Sequence, residues 1–318
     1  MHTTFRPAWW LRHPHLQTLW PYLTRKLPPH PYRHQRLQLP DSDFVDLAWT
    51  AGESGPIVIV LHGLESSLRS PYAGGILQAI HQQGWRGVLM HFRGCSGVPN
   101  RLPRSYHSGD TGDLAFLVQT LRNSEPHTPL LAVGYSIGGN VLLKWLGEQG
   151  ASAPLAAAVA VSVPFELNKT ERHIEKSLGG FYQWRLLRRM KRAYRRKFTN
   201  KNGPVPLTEL AKLKTFRSFD DKITAPLHGF AGVDDYYQRA SSRQYLRHIR
   251  TPALIIHALD DPFMTPAVVP SPEELSDTID FELTKKGGHV GFVTGRWPWR
   301  AEYWLEKRIV EYLRTCFL

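Results

Sequence analysis

The sequence holds only two cysteines in 318 residues, Cys95 and Cys316. That count excludes a disulfide scaffold and any zinc site built on cysteine, and so sparse a pair fits a reducing compartment. Long apolar runs are missing as well. None approaches the ~18 residues needed to span a bilayer. The longest candidate, around residues 154–164, is small and rich in Ala and Val, and it reads as a buried strand. The first 20 residues scatter His, Arg and Pro among apolar positions and lack the basic-then-apolar-then-small order of a secretion signal. The chain is expected to be cytoplasmic, with contact at a membrane surface left open. No internal repeat and no low-complexity tract is present. Acidic residues are scarce, 27 against 40 Lys and Arg, which leaves a net charge of +13 to be explained.

Hydrophobic residues make up 42% and charged residues 21%, the composition of a globular chain. Through the middle of the sequence short β-branched runs alternate with helical patterns, the signature of a parallel sheet with crossover helices. Strands are predicted at 57–61, 87–91, 129–134, 155–163, 252–258 and 278–283, with edge strands between 33 and 49. Helices are predicted at 72–83, 110–122, 137–148 and 300–314. Between 165 and 250 the alternation stops, and the segment is rich in charge and aromatics without a convincing strand. The expected architecture is one α/β domain over residues 1–318, with a helical lid inserted at 165–250.

Gly134-Tyr135-Ser136-Ile137-Gly138 fits G-x-S-x-G, with Gly139 following. A serine on a sharp strand-to-helix turn needs small neighbours two positions away on each side before that turn can close. An apolar strand pattern leads in and a helical pattern leads out. Downstream acids and histidines then fall in the order Ser…Asp…His. The strand at 252–258 runs into Ala258-Leu259-Asp260-Asp261-Pro262-Phe263, where Asp261 is the better acid and Asp260 the fallback. His289 lies between glycines in Gly287-Gly288-His289-Val290-Gly291, and of the 15 histidines it alone combines order, loop context and distance from the acid. Two backbone donors are expected to hold an oxyanion, the N–H of Ile137 after the nucleophile and that of Leu64 in His62-Gly63-Leu64. Each such donor is worth roughly 10²–10³ in rate. The His62 ring is expected to brace its turn without transferring protons.

With these residues in hand, the chain resembles the YheT-like branch of the α/β-hydrolase superfamily. The resemblance is carried by His15-Leu16-Gln17-Thr18, His62-Gly63-Leu64-Glu65, Phe92-Arg93-Gly94-Cys95-Ser96-Gly97, Gly134 to Asn140, Asp234-Asp235-Tyr236-Tyr237 and the Gly287–Gly291 stretch. That branch is described as esterases, with plant and animal relatives that include phospholipases and alcohol acyltransferases. By analogy its serine, acid and histidine fall on Ser136, Asp261 and His289, as spacing also assigns them. The resemblance implies hydrolysis of short- to medium-chain or lipid-like acyl esters, with no cofactor and no metal. The same acyl-enzyme could instead make esters from alcohols. A reading of another class is a non-catalytic protein that binds membrane or RNA.

Most of the excess charge has an address. Residues 169–222 carry 16 Lys and Arg against 5 Asp and Glu, leaving +2 for the rest of the chain. Eight basic residues and no acid fall between Arg185 and Lys197. On a helix, Tyr182, Leu186, Met190, Tyr194 and Phe198 form one stripe with basic residues around it. Three readings are open for this segment. It could be a lid with a solvated basic face, or a helix drawn to anionic lipid or anionic substrate. It could also bind nucleic acid, the weakest case because no recognised nucleic-acid motif accompanies it. Trp9, Trp10, Trp20 and Tyr22 either line an acyl pocket or, more simply, pack on the domain. His13 and His15 have no third partner for a metal. Asp234 and Asp235 are expected in helix capping or ion pairs.

Overall fold

The computed structural model describes residues 5–26, 30–52, 54–200 and 202–317. An antiparallel hairpin, β1 (Arg33–Gln38) and β2 (Phe44–Trp49), forms one edge of an eight-stranded sheet. The remaining strands are β3 (Ile57–Leu61), β4 (Arg86–Met90), β5 (Leu130–Tyr135), β6 (Ala157–Val161), β7 (Ala253–Ala258) and β8 (Ile279–Thr284). They run in the order β1-β2-β4-β3-β5-β6-β7-β8, parallel from β4 onwards. Strand β3 shows why the run IVIVL must be central. Ile57, Ile59 and Leu61 enter the core on one face, Val58 and Val60 the core on the other, and all five are fully buried. Each such side chain contributes roughly 1.5–3 kcal/mol.

Helices cover both faces. Helix α1 (Pro14–Thr24) precedes the sheet, and α2 (Pro71–Gln82) packs Ile76 and Ile80 against the Val58 and Val60 side. On the opposite face α3 (Gly112–Ser124) and α4 (Ile137–Gln149) contribute Leu114, Leu117, Val141 and Leu142. Between β6 and β7 the chain leaves the sheet. It forms α5 (Leu167–Ile174), a turn at Ser177–Gly180 and the long α6 (Phe181–Phe198). It continues as α7 (Phe216–Phe219), a π turn at Asp220–Thr224, α8 (Ala225–Leu227) and α9 (Val233–Ala240). After β8 come the short strands β9 (Val293–Thr294) and β10 (Glu302–Tyr303), then α10 (Trp304–Phe317). Among the described residues no helix is long and apolar enough to cross a membrane.

The topology dictates where chemistry can sit. From β3 the chain crosses to β4 on one side, and β5 lies on the other. The crevice at the carboxyl ends of β3 and β5 is thus the switch point at which open α/β sheets bind ligands.

Candidate active site

At the end of β5 the backbone of Ser136 takes φ 54° and ψ −121°, a conformation that costs a non-glycine residue roughly 1–3 kcal/mol. Its glycine neighbours are what allow it. A Cβ at Gly134 would lie 2.5 Å from the Gly138 carbonyl oxygen, and one at Gly138 would lie 2.5 Å from that of Leu61. A Cβ at Gly139 would meet Val163 Cγ2 at 2.7 Å. The G-x-S-x-G spacing is therefore a packing requirement of strand, turn and α4.

Three residues named from the sequence meet here. His289 Nε2 lies 3.0 Å from Ser136 Oγ, and His289 Nδ1 lies 2.8 Å from Asp261 Oδ2. Asp261 is 3% exposed and His289 8%, so solvent screens this chain of contacts little. Asp261 Oδ1 accepts the Phe263 N–H at 2.8 Å. A carboxylate can only accept, so the imidazole carries its proton on Nδ1 and turns the Nε2 lone pair to the Ser136 hydroxyl. The Phe263 ring stacks on His289, with centroids 4.0 Å apart and planes 12° apart, which fixes the imidazole plane.

The fallback acid does something else. Asp260 Oδ1 accepts the Gly288 N–H at 2.9 Å, and burial raises its carboxyl above the usual range. The next two N–H groups are also held by side chains. That of His289 donates to Thr18 Oγ1 at 2.9 Å, and that of Val290 donates to Ser162 Oγ at 3.0 Å. Three consecutive amides are thus fixed by a loop acid, by α1 and by the end of β6. Gln17 completes the clamp. Its Nε2 donates to the carbonyls of Leu11 (2.8 Å) and Val293 (2.9 Å), and its Oε1 accepts the Val293 N–H at 2.7 Å. The glycines beside His289 admit α1, since a Cβ at Gly288 would lie 2.7 Å from Pro14 O and one at Gly291 2.3 Å from Gln17 O. Sequence reasoning found no role for Gln17, Thr18 or Ser162, although the first two lie in a stretch that carries the family resemblance.

The turn after β3 faces Ser136 from the other side. His62 braces it as expected, with Nε2 accepting the Phe92 N–H at 3.1 Å and Nδ1 donating to Gly63 O at 2.7 Å. Burial, then the neighbouring His91, lowers its pKa to about 3, so the ring stays neutral. The Gly63 N–H donates to Tyr72 Oη at 2.8 Å. Glu65, at φ 49°, gives its N–H to Tyr106 Oη (2.9 Å) and accepts the Tyr106 hydroxyl at Oε1 (3.0 Å). Behind this turn Arg93 forms two hydrogen bonds to Asp113, at 2.8 and 2.6 Å, and also binds Asp41 and Asp43 at 2.7 and 3.2 Å. Burial opposes the guanidinium charge, but the Asp113 and Asp41 carboxylates outweigh it and raise its pKa.

Ser136, His289, Leu64 and Ile137 open into one cavity of about 230 Å³. The inserted segment supplies much of its wall. Tyr182, Leu186, Met190, Tyr194 and Phe198, the stripe expected on α6, all line it, as do Arg185 and Arg189 of the same helix. Tyr182 reaches the histidine through Phe263, its ring 4.7 Å from that of Phe263. Among the four aromatics singled out near the N-terminus, only Tyr22 lines the cavity; Trp10 and Trp20 pack edge to face at 4.9 Å and Trp9 is exposed. Asp234 and Asp235 pair with Arg217 (2.7 Å) and Arg239 (3.2 Å), the ion pairs expected of them. Among the described residues no group of three or more His, Cys, Asp or Glu could hold a metal ion.

A family model described as alpha/beta hydrolase fold matches residues 56–296. The chain is 46% identical over 307 residues to the Escherichia coli (strain K12) protein named "Putative esterase YheT", covering 95% of this chain and 90% of that protein. It is 29% identical over 315 residues to "Phospholipase ABHD3" of Mus musculus, covering 94% and 76% of the two chains. The match to "Monoacylglycerol lipase" of Saccharomyces cerevisiae is 30% over 253 residues, 77% of this chain and 56% of that one. Among solved structures, the Pyrococcus furiosus esterase Pf2001 superposes with a TM-score of 0.59 at 17% identity, covering 93% of this chain and 98% of its own. At that identity the likeness bears on the fold alone.

Proposed function

Because the chain belongs to the α/β-hydrolase family, in its YheT-like branch, we propose that it cleaves carboxylic esters through an acyl-enzyme on Ser136. The observation that carries this reading is the run of contacts from Ser136 Oγ to His289 to Asp261 at the end of an apolar-walled cavity. The ester carbonyl is attacked by Ser136 Oγ as His289 Nε2 takes the hydroxyl proton. Asp261 stabilises the imidazolium and holds its tautomer. The oxyanion is held by the N–H groups of Ile137, at the start of α4, and Leu64, whose neighbour Gly63 gives its own N–H to Tyr72. The imidazolium then protonates the leaving alkoxide. Water, deprotonated by the same nitrogen, releases the acid and restores Ser136. In this reading the segment from α5 to α9 is a cap over the acyl pocket, and its apolar residues favour an acyl chain over a polar acid.

A fluorophosphonate probe tests the proposal. The wild type should be labelled and Ser136→Ala should not, while both keep the same thermal unfolding. A folded wild type that resists the probe and leaves p-nitrophenyl esters intact would overturn it. Adding a simple alcohol to the ester assay shows whether the acyl-enzyme partitions to water or to ester synthesis.

A further inference from the structure

The two sides of α6 have different tasks. Leu186, Met190 and Tyr194 face the cavity, whereas Phe181, Trp184, Arg188, Arg192 and Arg195 recur three or four residues apart on the outside, all exposed and none lining the cavity. At the start of this outer stripe Trp184 is 57% exposed and Phe181 36%, and Leu178 in the preceding turn is 45% exposed. Arg188 lies over the Trp184 ring at 5.6 Å. Among the described residues Arg188, Arg192 and Arg195 form no salt bridge, although Glu166, Glu209, Asp221 and Asp234 of the same segment do, with Lys169, Lys212, Lys222 and Arg217. A folded surface that leaves arginines unpaired beside an exposed tryptophan is complementary to something both anionic and apolar.

We propose that this outer face is a docking surface for a lipid bilayer bearing anionic headgroups. Leu178, Phe181 and Trp184 enter the interfacial layer, where indole and aromatic rings partition favourably. The arginines that follow on the stripe lie along the headgroups, each contributing roughly fivefold to the partition coefficient. A nucleic acid offers the same phosphates but gives Leu178 no apolar region to enter. Docked this way, the helix that lines the cavity lies on the membrane, so an acyl chain can pass from lipid to the apolar wall without crossing bulk water. The docking itself does not depend on Ser136 chemistry.

Sedimentation of the full chain with vesicles tests it. Vesicles of phosphatidylcholine with about one-third phosphatidylserine should carry the wild type down, pure phosphatidylcholine vesicles far less, and raised salt should weaken the effect. Replacing Arg188, Arg192 and Arg195 together by Ala should lower the partition coefficient about a hundredfold, and Trp184→Ala should lower it independently of salt. These side chains are exposed, so unchanged thermal unfolding would show that the variants fold. Ser136→Ala should sediment like the wild type, which separates a failure of docking from a failure of the hydrolase reading. No binding to the mixed vesicles, or full binding by the triple variant, would overturn the proposal. So would tighter binding to a duplex oligonucleotide that Trp184→Ala leaves unchanged.

Discussion

Asp260 and Asp261 are adjacent and both buried deeply enough to matter, yet the structure gives them separate tasks, and substitution by Asn should pull those tasks apart. In Asp261→Asn the carbonyl oxygen can keep the Phe263 N–H at the 2.8 Å contact, which turns the amide NH₂ to His289 Nδ1. The imidazole must then accept at Nδ1 and carry its proton on Nε2, facing Ser136 with a donor where the proposed mechanism requires a base. The opposite amide orientation sets NH₂ against the Phe263 N–H, a buried donor–donor conflict costing about 1–3 kcal/mol. The same Asp-to-Asn change in a serine-protease triad lowers kcat about 10⁴-fold, which corresponds to about 5.5 kcal/mol of transition-state stabilisation. A loss of about 10³–10⁴-fold in kcat, with KM little changed, is the expected result here. In Asp260→Asn a carbonyl oxygen still accepts the Gly288 N–H, so no more than about a tenfold loss is expected. Steady-state hydrolysis of a p-nitrophenyl ester, checked against the rate of fluorophosphonate labelling, measures both variants. If Asp261→Asn kept activity within tenfold of the wild type, or Asp260→Asn fell as far, the tautomer argument would be refuted.

Three further outcomes follow from the contacts described. Thr18→Val removes the acceptor of the His289 N–H; stability should fall by about 1–3 kcal/mol in urea unfolding, and kcat should drop more than KM rises because the imidazole loses its fixed position. Arg93→Ala leaves the Asp43 and Asp113 side chains, 0% and 7% exposed, without their counter-charge; a destabilisation of about 3–5 kcal/mol is expected, and a thermal midpoint unchanged from the wild type would contradict it. Asp220 is the pH test. Burial pushes its carboxyl up to about 6 against hydrogen bonds from Thr224 and Tyr237. Between the unfolded value of 3.8 and about 6 the native chain holds a proton that the unfolded chain has released. Its stability contribution is therefore complete below that window, falls as pH rises through it, and is flat above. The fall amounts to at most about 3 kcal/mol, and Asp220→Asn should abolish this part of the slope in urea midpoints compared across the window.

What the sequence made legible is whatever repeats with a period or obeys a local steric rule. Buried parallel strands announce themselves as unbroken apolar runs, so 57–61 and 252–258 were readable to within a residue. The serine turn was readable because its glycines fall at a fixed local spacing, although Gly134 alone meets only near neighbours, while Gly138 is required by Leu61 and Gly139 by Val163. His289 was singled out by order and by its flanking glycines, of which Gly288 and Gly291 admit α1 and Gly287 packs on Phe292 and Ala258. The clamp on the histidine loop shows where such reading stops. Thr18 and His289 are 271 positions apart and Ser162 and Val290 are 128 apart, and a single side-chain hydrogen bond at that separation leaves no periodic trace. The same limit explains α6. Its i, i+4 stripe was visible, but an amphipathic pattern marks only that one face is apolar and not whether that face meets a core or a cavity. The fold resolves it by placing α6 across the carboxyl ends of the strands, where the core side chains of the sheet give way to Ser136. The apolar stripe thereby becomes pocket wall. Arg188, Arg192 and Arg195, which a helix packed on a solid core would need only for solvation, are left on the outside of the helix that encloses the candidate site, while Arg185 and Arg189 line the cavity. A net charge that looked like a property of the whole chain thus becomes a property of the cavity's surroundings, and it bears on what can approach Ser136.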